Sequence, residues 1–308
     1  MKSAVPVVTA AEAGPYGSRV ALGHRPADFL TLTKPRLNLL VLMTTLGGLY
    51  LAAPDGVPFD ILFHTLVGTA LVAGGAAALN QVWERHTDAL MRRTANRPLP
   101  GGRLAVTEGA WFGIALSGAG LAELAIAVNL TSAWVAAITL VSYVLMYTPL
   151  KTRTSLSTLV GAIPGALPPV IGWAAIKGSI TLPAVILFGI VFFWQMPHFL
   201  AIAWLCREDY GRAGIPMLPV VEPDGRRTGQ QALLYAAGLW PVSLMPMGVG
   251  LAGPAYAVVA TALGLLFIWL SMRFARQRSQ AHARQLFLFS ITYLPLLWAA
   301  LVIDRIWL

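Results

Sequence analysis

The chain has 308 residues, 57% of them hydrophobic and only 11% charged, with a mean hydropathy of +0.68 and a formal net charge of +9. A soluble domain carries about 25% charged residues, so this composition excludes a soluble enzyme, a disordered chain and a disulfide scaffold and makes lipid the solvent. Cys206 is the only cysteine, which excludes an intrachain disulfide and a cysteine-cluster metal site.

Residues 1–28 mix Pro, Gly and Glu, hold no apolar core long enough for a signal peptide, and read as a mobile cytoplasmic tail ahead of a membrane domain over 29–308. No Arg- and Ser-rich transit segment is present, which points to a bacterial inner membrane. Residues 29–36 read as interfacial. Apolar stretches of the length a helix needs to cross a bilayer follow at 37–53, 61–83, 104–128, 133–149, 156–176, 182–205, 232–251, 255–272 and 286–303. The expected fold is therefore an all-α, polytopic membrane bundle of about nine transmembrane helices. The fifth stretch contains Gly161, Pro164, Gly165, Pro168 and Pro169, a composition expected of a broken helix lining a cavity.

With nine spans the basic residues separate by side. The tail, the second, fourth, sixth and eighth connections hold 20 of the 22 Lys and Arg, leaving Lys177 and Arg305 opposite. That asymmetry places the N-terminus in the cytoplasm and the C-terminus outside. It also accounts for the basic balance through loops facing anionic lipid, with no nucleic-acid partner.

Four polar constellations follow in chain order. Asn80, Glu84 and Asp88 are spaced four apart, so a helix continuing past Trp83 puts an amide and two carboxylates on one stripe. Such a hard-oxygen patch suits Mg²⁺, which completes its shell with water and phosphate oxygens. The plain alternative is a solvated helix end with the acids paired to Arg85 and Arg92. Arg92, Arg93 and Arg97 follow at once, and guanidinium forks match phosphate geometry. Tyr147 and Lys151 end the fourth stretch, where Lys151, helped by Arg153, is a diphosphate contact or a snorkelling lysine. His198 lies about 10 Å inside the sixth stretch by helix rise. An ionisable group at that depth is a functional candidate, here one able to face a haem, against the alternative of a neutral histidine bonded to a neighbouring helix. Glu208 and Asp209 adjoin the end of that stretch; Asp209 is the candidate facing the bundle axis and Arg212 a phosphate candidate. Glu108 reads as interfacial, and Glu123 has no evident role.

These residues resemble the UbiA superfamily of intramembrane prenyltransferases. Asn80-x3-Glu84-x3-Asp88 is similar to its first metal motif and Tyr147-x3-Lys151 to its Tyr-x3-Lys element. The segments at 33–36, 91–99, 147–151, 194–199 and 207–217 resemble the branch that farnesylates protohaem IX, and the likeness spans about residues 30–305. Glu84 stands where Asp is common, His86 where a further acid is frequent, and Ala213 where a second Asp-x3-Asp would end, leaving Glu208 or water to complete that set. The resemblance implies a UbiA-type bundle with a central cavity open to the cytoplasmic side. It implies transfer of farnesyl from farnesyl diphosphate to the 2-vinyl group of haem B, with water addition, giving haem O. Mg²⁺ would be held by Asn80, Glu84, Asp88 and Asp209. Arg92, Arg93, Arg97, Lys151, Arg153 and Arg212 would bind diphosphate, with Tyr147 in the same site. His198 would contact the haem, and Lys34 and Arg36 its propionates. Haem A synthase or terminal-oxidase assembly factors would take the product. The competing readings are an aromatic or quinone-precursor acceptor within the same superfamily and, from another class, a transporter, which should show duplicated halves or mid-membrane acids.

Overall fold

A computed structural model describes residues 25–306, and every regular element among them is a helix. The expected tail lies outside the described residues up to residue 24, while residues 25–28 open a short helix, α1 (Arg25–Leu32). Lys34 then turns the chain at φ 50° and ψ 60°, a left-handed conformation, at a position where the following proline disfavours the right-handed helical one. Pro35 begins α2 (Pro35–Ala52), where a missing N–H leaves no bond unmade.

Next come α3 (Phe59–Ala89) and α4 (Val106–Ala127). The fourth span is composite: α5 (Leu130–Val141), a π-helical segment (Ser142–Tyr147) and the short α6 (Thr148–Leu150). The fifth is broken, as its prolines imply, into α7 (Ser157–Ala166) and α8 (Pro168–Lys177). The chain continues through α9 (Leu182–Leu205), α10 (Arg207–Arg212), α11 (Leu218–Val221), α12 (Arg226–Gly248), α13 (Pro254–Gln277) and α14 (Gln280–Ile306).

Seven of these spans are helices long and apolar enough to cross a membrane, and the molecule is a multi-span membrane protein. The expected count of nine is thus approximate. The two spans outside the seven correspond to α2 and α12; the first turn of α2 carries Arg36 and Asn38, and the first two turns of α12 carry Arg226, Arg227, Gln230 and Gln231.

Close helix contacts hold the bundle in place. A Cβ at Gly75 of α3 would lie 2.7 Å from the Gly113 carbonyl oxygen of α4, and one at Gly120 of α4 would lie 2.6 Å from that of Gly68. Small residues therefore let these two backbones touch, which substitutes for a hydrophobic drive that lipid does not supply. Gly48 of α2 and Gly172 of α8 do the same, since a Cβ on either would overlap a carbonyl oxygen, that of Pro169 or Thr45. At one end of the bundle Asn129 caps α5 and donates to the carbonyls of Ala174 and Ala175 at 2.9 and 3.1 Å. At that same end the buried Asp304 of α14 accepts the backbone N–H groups of Gly253 and Tyr256, capping α13 from another helix. The opposite end gathers the polar constellations.

Candidate active site

α3 runs 31 residues without interruption and carries its stripe to the polar end. Asn80, Glu84 and Asp88 share one face, as their spacing requires, and all three are buried, at 2%, 5% and 1% exposure. The alternative of a solvated, Arg85- and Arg92-paired helix end is thereby set aside. Arg85 instead donates to the Val82 carbonyl at 2.9 Å, and Arg92 is exposed.

Each member of the stripe has one cation. Lys34 Nζ donates to Asn80 Oδ1 at 2.9 Å. Lys151 Nζ donates to both carboxylate oxygens of Glu84 at 2.9 Å. Arg97 Nη1 donates to Asp88 Oδ2 at 2.6 Å. Asp88 Oδ1 is buried with no partner among the described residues, an expensive condition for a carboxylate oxygen unless something else takes it. Burial of the Lys34 ammonium, helped by the charges of Arg97 and Lys151, lowers that lysine from its usual value to about 8.

Local chain geometry delivers these cations. Lys34 is fixed by α1, which is tied down through the Arg25–Glu108 ion pair, an Arg103 Nε bond to Asp28 at 2.9 Å, and a Gln81 Nε2 bond to the Leu32 carbonyl at 2.8 Å. The π segment shifts the end of the fourth span so that Thr148 accepts from Asn80 Nδ2 at 3.1 Å while donating to the Tyr143 carbonyl at 2.8 Å. π-bulges are frequent at functional sites because they re-aim the side chains that follow them. Tyr147 stacks on Tyr143 at 5.4 Å between centroids and lies over Gly161, one turn from Lys151. Thr94 Oγ1 donates to the Asp88 carbonyl at 2.8 Å, closing the loop that brings Arg97 back.

The second polar loop meets the first through Arg93. Its Nη2 donates to the Tyr210 hydroxyl at 3.0 Å and its guanidinium lies 5.0 Å from that ring's centroid. Met91, Tyr210, Ala213, Ile215 and Met217 pack together beneath. In α10, Glu208 is exposed and Asp209 half-buried, and Asp209 pairs with Arg212 one turn on. Arg212 is thus engaged by a carboxylate, as Arg97 and Lys151 are. Arg36 and Arg153 are exposed on the rim. Lys34, expected at a haem propionate, sits instead on the metal-type stripe.

His198 of α9 is bonded through Nδ1 to Ser290 Oγ of α14 at 2.7 Å, between the rings of Trp194 at 5.3 Å and Phe287 at 5.2 Å. The single hydroxyl hydrogen of Ser290 goes to the Phe287 carbonyl at 2.6 Å. Nδ1 must then donate, and Nε2 keeps its lone pair. Both sequence readings of this residue are compatible with the geometry: it is bonded to a neighbouring helix, and its other nitrogen is an available ligand.

Glu108 accepts from the backbone of Ala105 at 2.9 Å besides pairing with Arg25, and Glu123 pairs with His64 at 2.7 Å. An apolar cavity of about 980 Å³ lies on the flank between α1, α2, α3 and α4, lined by Phe29, Leu42, Leu71, Phe112 and Leu116, with Arg25 and Glu108 at its polar mouth.

Among the described residues no three His, Cys, Asp or Glu form a metal cluster. The donor set nonetheless fits Mg²⁺ with a phosphorylated ligand, because that ion needs only one or two carboxylates from the protein, and Asp88 Oδ1 is a buried oxygen with nothing to bind. The residues that sequence reasoning overlooked here are Thr148, Thr94, Tyr210 and Ser290. Pro149 inside an apolar run was the one available signal for the irregular helix at Thr148.

The profile of the UbiA prenyltransferase family matches residues 41–294. The chain is 48% identical over 287 residues to a protoheme IX farnesyltransferase of Solibacter usitatus, covering 90% of this chain and 98% of that one. It is 46% identical over 288 residues to the protoheme IX farnesyltransferase of Koribacter versatilis, covering 90% and 93%. Among solved structures, a digeranylgeranylglyceryl phosphate synthase superposes with a TM-score of 0.79 at 16% identity, covering 92% of this chain and all of the other. A UbiA homologue of Archaeoglobus fulgidus bound to GPP and Mg²⁺ superposes at 0.64, again at 16% identity, covering 89% and 99%.

Proposed function

The chain belongs to the UbiA prenyltransferase family, and from that premise we propose that it transfers a farnesyl group from farnesyl diphosphate to the 2-vinyl group of protohaem IX, with addition of water, giving haem O. The observation that carries the acceptor is identity of 48% and 46%, each over 90% of the chain, to relatives named for that transfer.

The bond between C1 of farnesyl and its diphosphate oxygen breaks, and the electron pair leaves with the diphosphate. The vinyl π electrons form the new carbon–carbon bond to the allylic cation. The resulting cation beside the porphyrin takes a water molecule, which loses a proton to solvent. No side-chain nucleophile is needed. Lys151, Arg97 and Lys34, already gathered on the α3 stripe, bind the diphosphate oxygens and stabilise the charge they gain. Arg92, Arg93 and Arg153 widen the cationic rim. Asn80, Glu84 and Asp88 would hold Mg²⁺, with Asp209 contributing from the second loop. When bound, the ion supplies further positive charge against which the diphosphate departs. Tyr143 and Tyr147 exclude water from one side of the reacting carbon. His198 Nε2 is the candidate axial ligand that seats the haem.

The membrane is a bacterial inner membrane with the site on its cytoplasmic face, a placement supported by 20 of 22 basic residues falling on that side of a nine-span arrangement. The domain unit of 29–308 also takes in residues 25–28 of α1, whose Arg25 and Asp28 pair with Glu108 and Arg103, and the product passes to haem A synthase or an oxidase assembly factor.

Purified protein in detergent, given haem B, farnesyl diphosphate and Mg²⁺, should yield a haem product heavier by one farnesyl and one hydroxyl group on mass spectrometry. EDTA or Asp88→Ala should abolish it. Haem B recovered unchanged under every condition would overturn the reading.

A further inference from the structure

Three candidate ligands on α3 meet three cations, one each, and the cations come from three separate parts of the chain. Lys34 comes from the α1–α2 turn, Arg97 from the loop after α3, and Lys151 from the end of the fourth span. The two carboxylates and three cations leave this buried cluster with one net positive charge. A bare divalent ion arriving there meets a like charge and must displace bonded ammonium and guanidinium groups without offering them another acceptor. A divalent ion carrying a prenyl diphosphate is a net anion, and its phosphate oxygens accept the very ammonium and guanidinium groups that release the ligands.

We propose that Lys34, Lys151 and Arg97 act as resident counter-ions which make diphosphate a condition of metal binding, with Lys34 the positioning residue that leaves Asn80 for the diphosphate when the pair enters. The inference rests on the diphosphate-transfer reading of the same site. The α1 strap carries it physically: Lys34 is held over Asn80 by a left-handed backbone and by the Asp28–Arg103, Arg25–Glu108 and Gln81–Leu32 contacts, so its placement does not depend on a flexible surface side chain. A left-handed non-glycine residue is uncommon, and here it aims the ammonium at the stripe. Of the three ligands on α3, only Asp88 keeps a buried oxygen without a partner among the described residues, Oδ1, so the ion has a first foothold before the cations move.

Equilibrium dialysis of the full chain in detergent against Mn²⁺, with and without inorganic pyrophosphate, reads this without turnover. The wild type should retain Mn²⁺ about tenfold more tightly when pyrophosphate is present, and Lys34→Met should strengthen retention of Mn²⁺ alone by about tenfold while shrinking the pyrophosphate effect, as expected from deleting a nearby unit charge in a partly buried site. Lys34→Gln repeats the test should the methionine variant fold poorly, and the wild-type comparison needs no variant. Equal retention with and without pyrophosphate would overturn the proposal while leaving the metal site intact. Unchanged affinity for Mn²⁺ alone in both Lys34 variants would overturn it equally. No retention of Mn²⁺ under either condition would overturn the metal-site reading itself, and the proposal with it.

Discussion

The Glu84–Lys151 pair separates what the site does for folding from what it does for chemistry. Lys151 donates to both oxygens of Glu84 at 2.9 Å, and the two side chains are 12% and 5% exposed. Lys151→Met leaves a buried carboxylate without its counter-charge, and Glu84→Gln leaves a buried ammonium without its own. Breaking such a pair from one side costs about 3–5 kcal/mol. The low end applies to a pair near the membrane surface, and about 3 kcal/mol lowers a thermal midpoint by about 5 °C at an unfolding entropy of about 2.1 cal/mol/K per residue over 308 residues. The double variant Glu84→Gln/Lys151→Met removes both charges and should return to within about 1 kcal/mol of the wild type. Farnesyl transfer should stay low, by about 10²-fold or more, in all three variants, since each lacks a group that meets the metal or the diphosphate. Thermal unfolding in detergent followed by fluorescence, beside chromatography of haem products, measures both. A double variant that regains transfer together with stability would refute the reasoning, because the pair would then be structural only.

His198→Ala should raise the KM for haem and remove the change in the haem absorption band seen on titrating haem into the protein, with farnesyl diphosphate binding unaltered; an unchanged spectrum would take His198 off the iron. Ser290→Ala should weaken the same spectral change less, because it frees the imidazole from its tautomer without removing Nε2. Gly48→Ala should destabilise the bundle by about 1–3 kcal/mol, the usual penalty of overpacking, since its methyl would overlap the Pro169 carbonyl; an unshifted thermal midpoint would show that α2 and α8 do not touch there. Asp304→Ala removes the acceptor for two N–H groups at the start of α13 and should cost about 0.5–2 kcal/mol of stability with turnover intact at low temperature.

The apolar runs located the membrane helices because lipid demands long stretches of one character, and the density of Gly and Pro at 161–169 announced the break between α7 and α8. The α3 stripe was legible because helical periodicity alone puts residues 80, 84 and 88 on one face. What periodicity does not carry is the identity of partners distant in sequence. Lys34 and Asn80 are 46 positions apart, Glu84 and Lys151 67, and Arg93 and Tyr210 117. Their pairing depends on how whole helices pack, so the sequence offers Arg85 and Arg92 as partners for the acids where Lys151 and Arg97 take that place, and it does not show that Arg212 is paired with Asp209. Apart from Pro149, nothing in the sequence marks the π segment, because its side chains obey the same apolar composition as an α-helix and only the backbone register differs. Glu123, without a role on sequence grounds, found one only when α3 placed His64 beside it.

The most direct test sets the two acceptor classes against each other. Purified protein in lipid nanodiscs receives labelled farnesyl diphosphate, Mg²⁺, and equal concentrations of haem B and a hydroxybenzoate, and the label is followed by chromatography. The account predicts label in a hydroxyethylfarnesyl haem and none in the phenolic compound. Label in the hydroxybenzoate with haem B untouched would keep the diphosphate site and contradict the haem acceptor.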